Sequence, residues 1–158
     1  MAAPAPSDDA ELALTLTRIF DAPREAVFRA WVDPMQIARW IGPRSIKADV
    51  KEMDARPGGA YCIVMHGASG EIYTVRGSYR EVAAPDRLVF SWAWDDDSGQ
   101  PKHQTTVTVT FRAVGDRTEM TLRQARFESR QELDNHEHGW TGSFDKLAEV
   151  LAGGPGRA

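Results

Sequence analysis

Ser129–Leu151 reads SRQELDNHEHGWTGSFDKLAEVL, and its spacing decides how the rest of the chain must fold. Leu133, His136, Trp140, Phe144, Leu147 and Leu151 recur at threes and fours, which puts them on one face of a helix. Asp134, Thr141, Asp145 and Glu149 fall on the other faces. Ser129 followed by Glu132 has capping-box spacing, in which side chains satisfy the backbone amides left free at a helix start. Gly153, Gly154 and Pro155 stop the helix. About 23 residues at ~1.5 Å rise make a rod of roughly 34 Å, enough to cross a small domain. Such a rod cannot hide its apolar stripe unaided, and nearly everything before it reads as strand. The expected partner is a sheet wrapped around the stripe.

Working back from the helix, Met120, Leu122 and Gln124 line a final strand, preceded by a tight turn at Gly115-Asp116. In the strand before it, Thr105, Val107, Val109 and Phe111 face one way, opposite Thr106, Thr108, Thr110 and Arg112. Asp95 to Pro101 is a polar loop, and Leu88, Phe90, Trp92 and Trp94 share one face of Arg87–Trp94. Ala84-Pro85-Asp86 turns the chain out of Glu71–Val82, where Tyr73, Val75 and Tyr79 alternate. Gly67–Gly70 has hairpin composition after Ala60–His66, whose Tyr61, Ile63 and Met65 share a side. Arg56-Pro-Gly-Gly is a turn, and Ser45–Glu52 alternates through Ile46, Ala48 and Val50.

At the far end, Leu12, Leu14, Leu16 and Phe20 share a strand face with Arg18. Asp21 then has the chemistry of a helix cap and Pro23 suits a first helical turn, predicting a helix to about Trp31. Asp33-Pro34 starts a second short helix through Met35, Ile37, Ala38, Trp40 and Ile41, closed by Gly42-Pro43. Short loops between the six later strands imply an antiparallel meander. The predicted class is α+β, a helix-grip fold. A curved antiparallel seven-stranded sheet wraps the long C-terminal helix, with two short helices between strands 1 and 2.

Composition narrows the function. The 158 residues, 42% hydrophobic and 27% charged, describe one ordinary globular domain over 12–152. A net charge of -4 without a basic cluster argues against nucleic acid as partner. The single cysteine, Cys62, excludes an internal disulfide and a cysteine-based zinc site. No apolar run approaches ~18 residues, so no membrane span is expected. Residues 1–11 read as a disordered leader, 153–158 as a flexible tail, and the cytoplasm as the expected location. Monomer and homodimer both stay open.

Four stretches add a resemblance: TRIFDAPREAVFRAWVDPMQIARWIGP (Thr17–Pro43), RPGGAY (Arg56–Tyr61), GSYREVAAPDRLVFSWAW (Gly77–Trp94) and HGWTGSFDKLAEVL (His138–Leu151). Together with the element order they resemble the START-like, birch-pollen-allergen-like superfamily (SRPBCC). Within it the chain is similar to the family named for the activator of heat-shock-protein-ninety ATPase. The resemblance spans roughly residues 12 to 152. It implies a cavity between sheet and helix that takes an apolar small molecule. It does not imply chaperone work, and fold likeness alone assigns no function.

The residues themselves point to the same place. Trp40, Tyr61, Tyr73, Tyr79, Trp92, Trp94, Trp140 and Phe144 fall on inward faces, where rings from sheet and helix frame a cleft or fill a core. Met65, Leu122, His136 and Arg18 complete the candidate cavity set. Arg18, a charge on a buried face, needs a carboxylate, backbone carbonyls or a ligand anion, and an ion pair is the favoured reading. Gly139 and Gly142 each cost ~1 kcal/mol against Ala inside a helix, so close packing or ligand space must compensate.

His136 reads as a hydrogen-bonded boundary histidine before a catalytic base. His136 and His138 lie two apart, so they diverge on a helix and do not readily chelate one ion. Asp95-Asp96-Asp97 reads as a solvated turn, and His66 and His103 as solvated strand-end groups. No metal, cofactor or catalytic residue is assigned. The favoured function is non-catalytic binding of a hydrophobic or aromatic small molecule. The alternatives are a cavity enzyme of the cyclase or hydrolase kind, and a chaperone-regulating interaction module that the sequence does not support.

Overall fold

The structure is a computed structural model and describes residues 12–153. The expected leader and all but the first residue of the expected tail lie outside the described residues. Strand β1 (Leu12–Phe20) leads into helices α1 (Arg24–Val32) and α2 (Pro34–Trp40). Strands β2 (Lys47–Met53), β3 (Ala60–His66), β4 (Ile72–Ala83), β5 (Arg87–Trp94), β6 (Thr105–Val114) and β7 (Arg117–Phe127) follow, and helix α3 (Arg130–Leu151) closes the chain. The seven strands form one antiparallel sheet in the order β1-β7-β6-β5-β4-β3-β2. After β2 each strand pairs with the next, and β7 returns to pair β1. This is the helix-grip arrangement, with α3 held in the concave face.

The alternation read from the sequence places the core. Leu14 and Phe20 of β1, Tyr61, Ile63 and Met65 of β3, Leu88, Phe90 and Trp92 of β5, and Val107, Val109 and Phe111 of β6 are buried. They meet Leu133, Trp140, Phe144 and Leu147 of α3. Trp140 and Phe144 are 3% and 2% exposed, so the stripe faces the sheet. Trp31 of α1 joins the layers, its ring 4.7 Å from Trp40 and 5.7 Å from Trp140.

Local details depart from the sequence reading. Asp21 does not cap α1; Pro23 occupies that position with no side-chain bond, and α1 begins one residue later. Asp33 caps α2, accepting from the Met35 amide at 2.9 Å. Met35, expected among the apolar residues of α2, is 73% exposed. Strand β2 starts at Lys47 rather than Ser45 because the Ile46 amide is spent on Pro43 O in a turn, at 2.9 Å. At the far helix, the Ser129 hydroxyl accepts from the Glu132 amide at 3.1 Å, as the capping spacing predicts.

Candidate functional site

The sheet stands away from the first half of α3, leaving an open cleft of about 670 Å³. Met65 of β3, Tyr73 of β4, Trp92 and Trp94 of β5, and His136, Gly139 and Trp140 of α3 form its walls. The loop after α2 supplies Ile41, Gly42, Pro43 and Ile46, and the loop after β5 supplies Asp95, Asp96, Asp97 and Lys102 at the mouth. Trp92 and Trp140 are buried with ring centroids 5.0 Å apart, whereas Tyr73 is 49% exposed and meets Trp94 edge-on at 6.4 Å. The cleft is therefore aromatic on its floor and polar at its rim.

Of the residues expected around a cavity, Met65, Tyr73, Trp92, Trp94, His136 and Trp140 line this cleft. The remaining six lie elsewhere. Trp40 is fully buried, its indole donating to Ala30 O at 3.0 Å. The Tyr61 hydroxyl donates to Ser91 O at 2.5 Å, and Tyr61, Tyr79 and Phe90 pack around a gap of only about 20 Å³. Burial holds both phenols above their ordinary values, so both stay protonated at neutral pH. Leu122 is buried completely, and Phe144 is wedged against Phe20, Trp31 and Trp140.

Arg18 sits on edge strand β1, across the sheet from the cleft strands β3–β5. It forms an ion pair with Asp145 of α3. Its Nη1 is buried with no hydrogen-bond partner. Sheet order, which strand periodicity does not encode, is what separates it from the cleft.

The polar atoms deep in the site are paired with one another. Gln124, fully buried on β7, accepts from the Trp140 indole at 2.7 Å and donates to the Thr105 hydroxyl at 2.8 Å. That hydroxyl donates onward to Trp92 O at 3.1 Å. His136 Nε2 faces two donors, the indole N–H groups of Trp94 at 3.0 Å and Trp92 at 3.3 Å. It must therefore carry a lone pair there. Its Nδ1 lies 2.8 Å from Glu132 O and must hold the proton. The ring is thus a neutral Nδ1–H tautomer, and burial pushes its pKa below the ordinary histidine value, opposed by the Glu132 carbonyl.

Two glycines of α3 do different work. A Cβ on Gly139 would meet nothing within 4 Å, so this residue adds room to the cleft. A Cβ on Gly142 would come 3.4 Å from the Pro43 Cα, an ordinary contact, so here the α2–β2 loop packs against the helix. The Ser143 hydroxyl fixes that loop, accepting from the Gly42 amide at 2.8 Å and donating to Gly139 O at 2.9 Å.

At the mouth, Asp95 takes a two-point contact from Arg76, at 2.9 and 2.6 Å. Asp96 accepts from the Ser98 hydroxyl and the Ser98 and Gln100 amides, which hold its carboxyl below the usual range. The acidic run is a built turn. His66 and His103 are exposed, and His103 Nε2 meets Arg126 O. Among the described residues no group of three or more His, Cys, Asp or Glu is placed to hold a metal ion, and no helix is long and apolar enough to cross a membrane.

The strand periodicity alone did not point to the loop residues Gly42, Pro43, Asp96 and Lys102, nor to Ser143. Gly139 did carry a signal, as one of two unexplained glycines within a helix.

Comparison with known proteins gives a consistent result. The family model described as Activator of Hsp90 ATPase homolog 1-like protein matches residues 21–152. The crystal structure of the AHSA1 protein from Silicibacter pomeroyi is 28% identical, with a TM-score of 0.83 over 89% of this chain and 98% of that one. A solution structure from Arthrobacter aurescens is 26% identical, with a TM-score of 0.84 over 93% and 90%. A crystal structure from Chromobacterium violaceum is 27% identical, with a TM-score of 0.81 over 88% and 96%. No curated protein matches.

Proposed function

The chain belongs to the Activator of Hsp90 ATPase homolog 1-like family, and on that premise we propose that it binds an apolar, ring-bearing small molecule in the cleft between sheet and α3. The observation that carries this reading is the cleft itself. Its volume of about 670 Å³ falls within the ~300–1,000 Å³ of small-molecule sites. Its walls combine rings from two different layers, and Gly139 keeps helix atoms out of it.

Binding is favoured over catalysis by the state of the polar groups. A general acid or base needs a titrating atom free to reach the substrate. The inner polar atoms of the cleft, on His136 and Ser143, are bonded to indole N–H groups or to the backbone, and Gln124 and Thr105 pair beneath the Trp140 and Trp92 rings. The titratable Asp97, Lys102, Glu132 and His138 line the cleft only as exposed groups. A ligand that settles there meets indole and thioether surface and gains mainly from area removed from water.

The test is a titration of tryptophan emission with 4-n-propylphenol, because Trp92, Trp94 and Trp140 all face the cleft. Saturable change in emission, weakened at least tenfold by Gly139→Leu, is the expected result. A linear, non-saturating response, or an unchanged affinity in the variant, contradicts the proposal.

A further inference from the structure

Behind the cleft lies a second, smaller pocket of about 80 Å³, walled by Phe127, Thr105, His103 and Glu128. It shares Trp92, Trp94, Lys102, Glu132 and His136 with the larger cleft: the exposed Lys102 and Glu132 border both spaces at the surface, and the three rings form the inner layer that borders both. That layer is the cluster in which both indoles donate to His136 Nε2, at 3.0 and 3.3 Å. The His136 ring is braced from the far side by Phe127, with ring centroids 4.9 Å apart.

We propose that the Trp92–Trp94–His136 cluster is the back wall of the ligand cleft, that it sets the length of ligand accepted, and that the pocket behind it is a second chamber for the tail of a longer ligand. This rests on the binding reading above and extends it to a specificity determinant.

The wall is held by few bonds. Two indole bonds to His136 Nε2, the His136 Nδ1–H bond to Glu132 O and ring contacts close it, each hydrogen bond worth about 1 kcal/mol net. Trp94 is only half-buried, so its ring has solvent on one side into which to swing. The chamber has the bulk of two or three water molecules at ~30 Å³ each, or of a short aliphatic segment. Its inner side, Phe127 and Trp92, is apolar, while His103 and Glu128 stand at its outer side. An alkyl tail of two or three carbons on a ring seated in the cleft fits this gradient, and a larger ring does not.

The experiment measures calorimetric affinity along the 4-n-alkylphenols, from ethyl to octyl, on the full chain and on His136→Ala. In the native chain affinity rises with each carbon until the tail meets the wall, then stops rising. In His136→Ala the break moves two or three carbons later, and the longest phenols gain at least tenfold. Trp94→Phe, which keeps a ring and removes one donor, moves the break part of the way and guards against a misfolded alanine variant. An identical break in native and variant chains overturns this inference and leaves the binding reading intact. Failure of every phenol to bind either chain overturns both.

Discussion

His136 is the residue whose chemistry the fold controls most tightly. Neutral, its Nε2 receives two indole N–H groups; protonated, it would present a third donor to the same point. The folded-state pKa therefore lies below that of the unfolded chain, ordinarily ~6.5. As pH falls through the unfolded value the unfolded chain takes up the proton first, so stability is lost on that side until the folded ring also protonates. Urea midpoints should fall as the pH is lowered through the unfolded value of ~6.5, above the range where carboxylates titrate. His136→Gln, which keeps an acceptor and cannot ionise, should flatten that slope, and an equally steep slope in the variant would contradict the assignment.

Gln124 gives the second expectation at this scale. Gln124→Leu matches the buried shape but leaves the Trp140 indole without an acceptor, while the Thr105 hydroxyl loses one donor and keeps its own bond to Trp92 O. The expected loss is about 1–3 kcal/mol by chemical denaturation, the cost of one unpaired buried donor. A gain in stability would show that the pair contributes nothing net.

Among the elements, α3 is where sequence and structure can be compared most closely. Its capping serine, its stripe and its end followed from local spacing, because each is a rule about neighbours three or four apart. Its two glycines could not be told apart that way, since what lies beside them comes from distant segments: open cleft at Gly139, Pro43 at Gly142. Gly139→Ala should thus stabilise by up to ~1 kcal/mol, the helix-propensity difference, while narrowing the cleft. Gly142→Ala should stay near neutral or slightly favourable, its methyl in ordinary contact with Pro43. Gly42→Ala should destabilise by more than 1 kcal/mol (on the order of the αL strain), since its φ is +88° and a Cβ would sit 2.9 Å from Ile46. Thermal melts of the three variants check this order directly. Gly142→Ala losing more than Gly42→Ala would refute the packing described for the α2–β2 loop.

For the whole molecule, the strand alternation sorted inward from outward faces, and that was enough to foresee a sheet closing on a helix. It was not enough to say which inward rings pack and which line space. Trp40, Tyr61, Tyr79 and Phe144 share their pattern with Trp92 and Trp140, yet the first four sit where layers touch and the last two where they part. That parting is set by loops, with Gly42-Pro43 latched to Ser143 on one side and the self-bonded turn at Asp96 on the other.

A ligand that fills the space should raise global stability by mass action, by about 2.7 kcal/mol at a hundred times its dissociation constant. A rise in melting temperature that grows with the logarithm of 4-n-propylphenol concentration is expected. A concentration-independent melt would contradict it.

The five tryptophans allow the cleft to be tested at the level of single groups. In a ¹⁵N–¹H spectrum titrated with 4-n-propylphenol, the indole signals of Trp92, Trp94 and Trp140 should move saturably together. Those of Trp31 and Trp40, committed to Met120 Sδ and Ala30 O in the solid core, should stay in place. If no indole signal moves, or if Trp31 and Trp40 move as far as the other three, ligand does not enter between the sheet and α3, and the account of this protein as a binder is wrong.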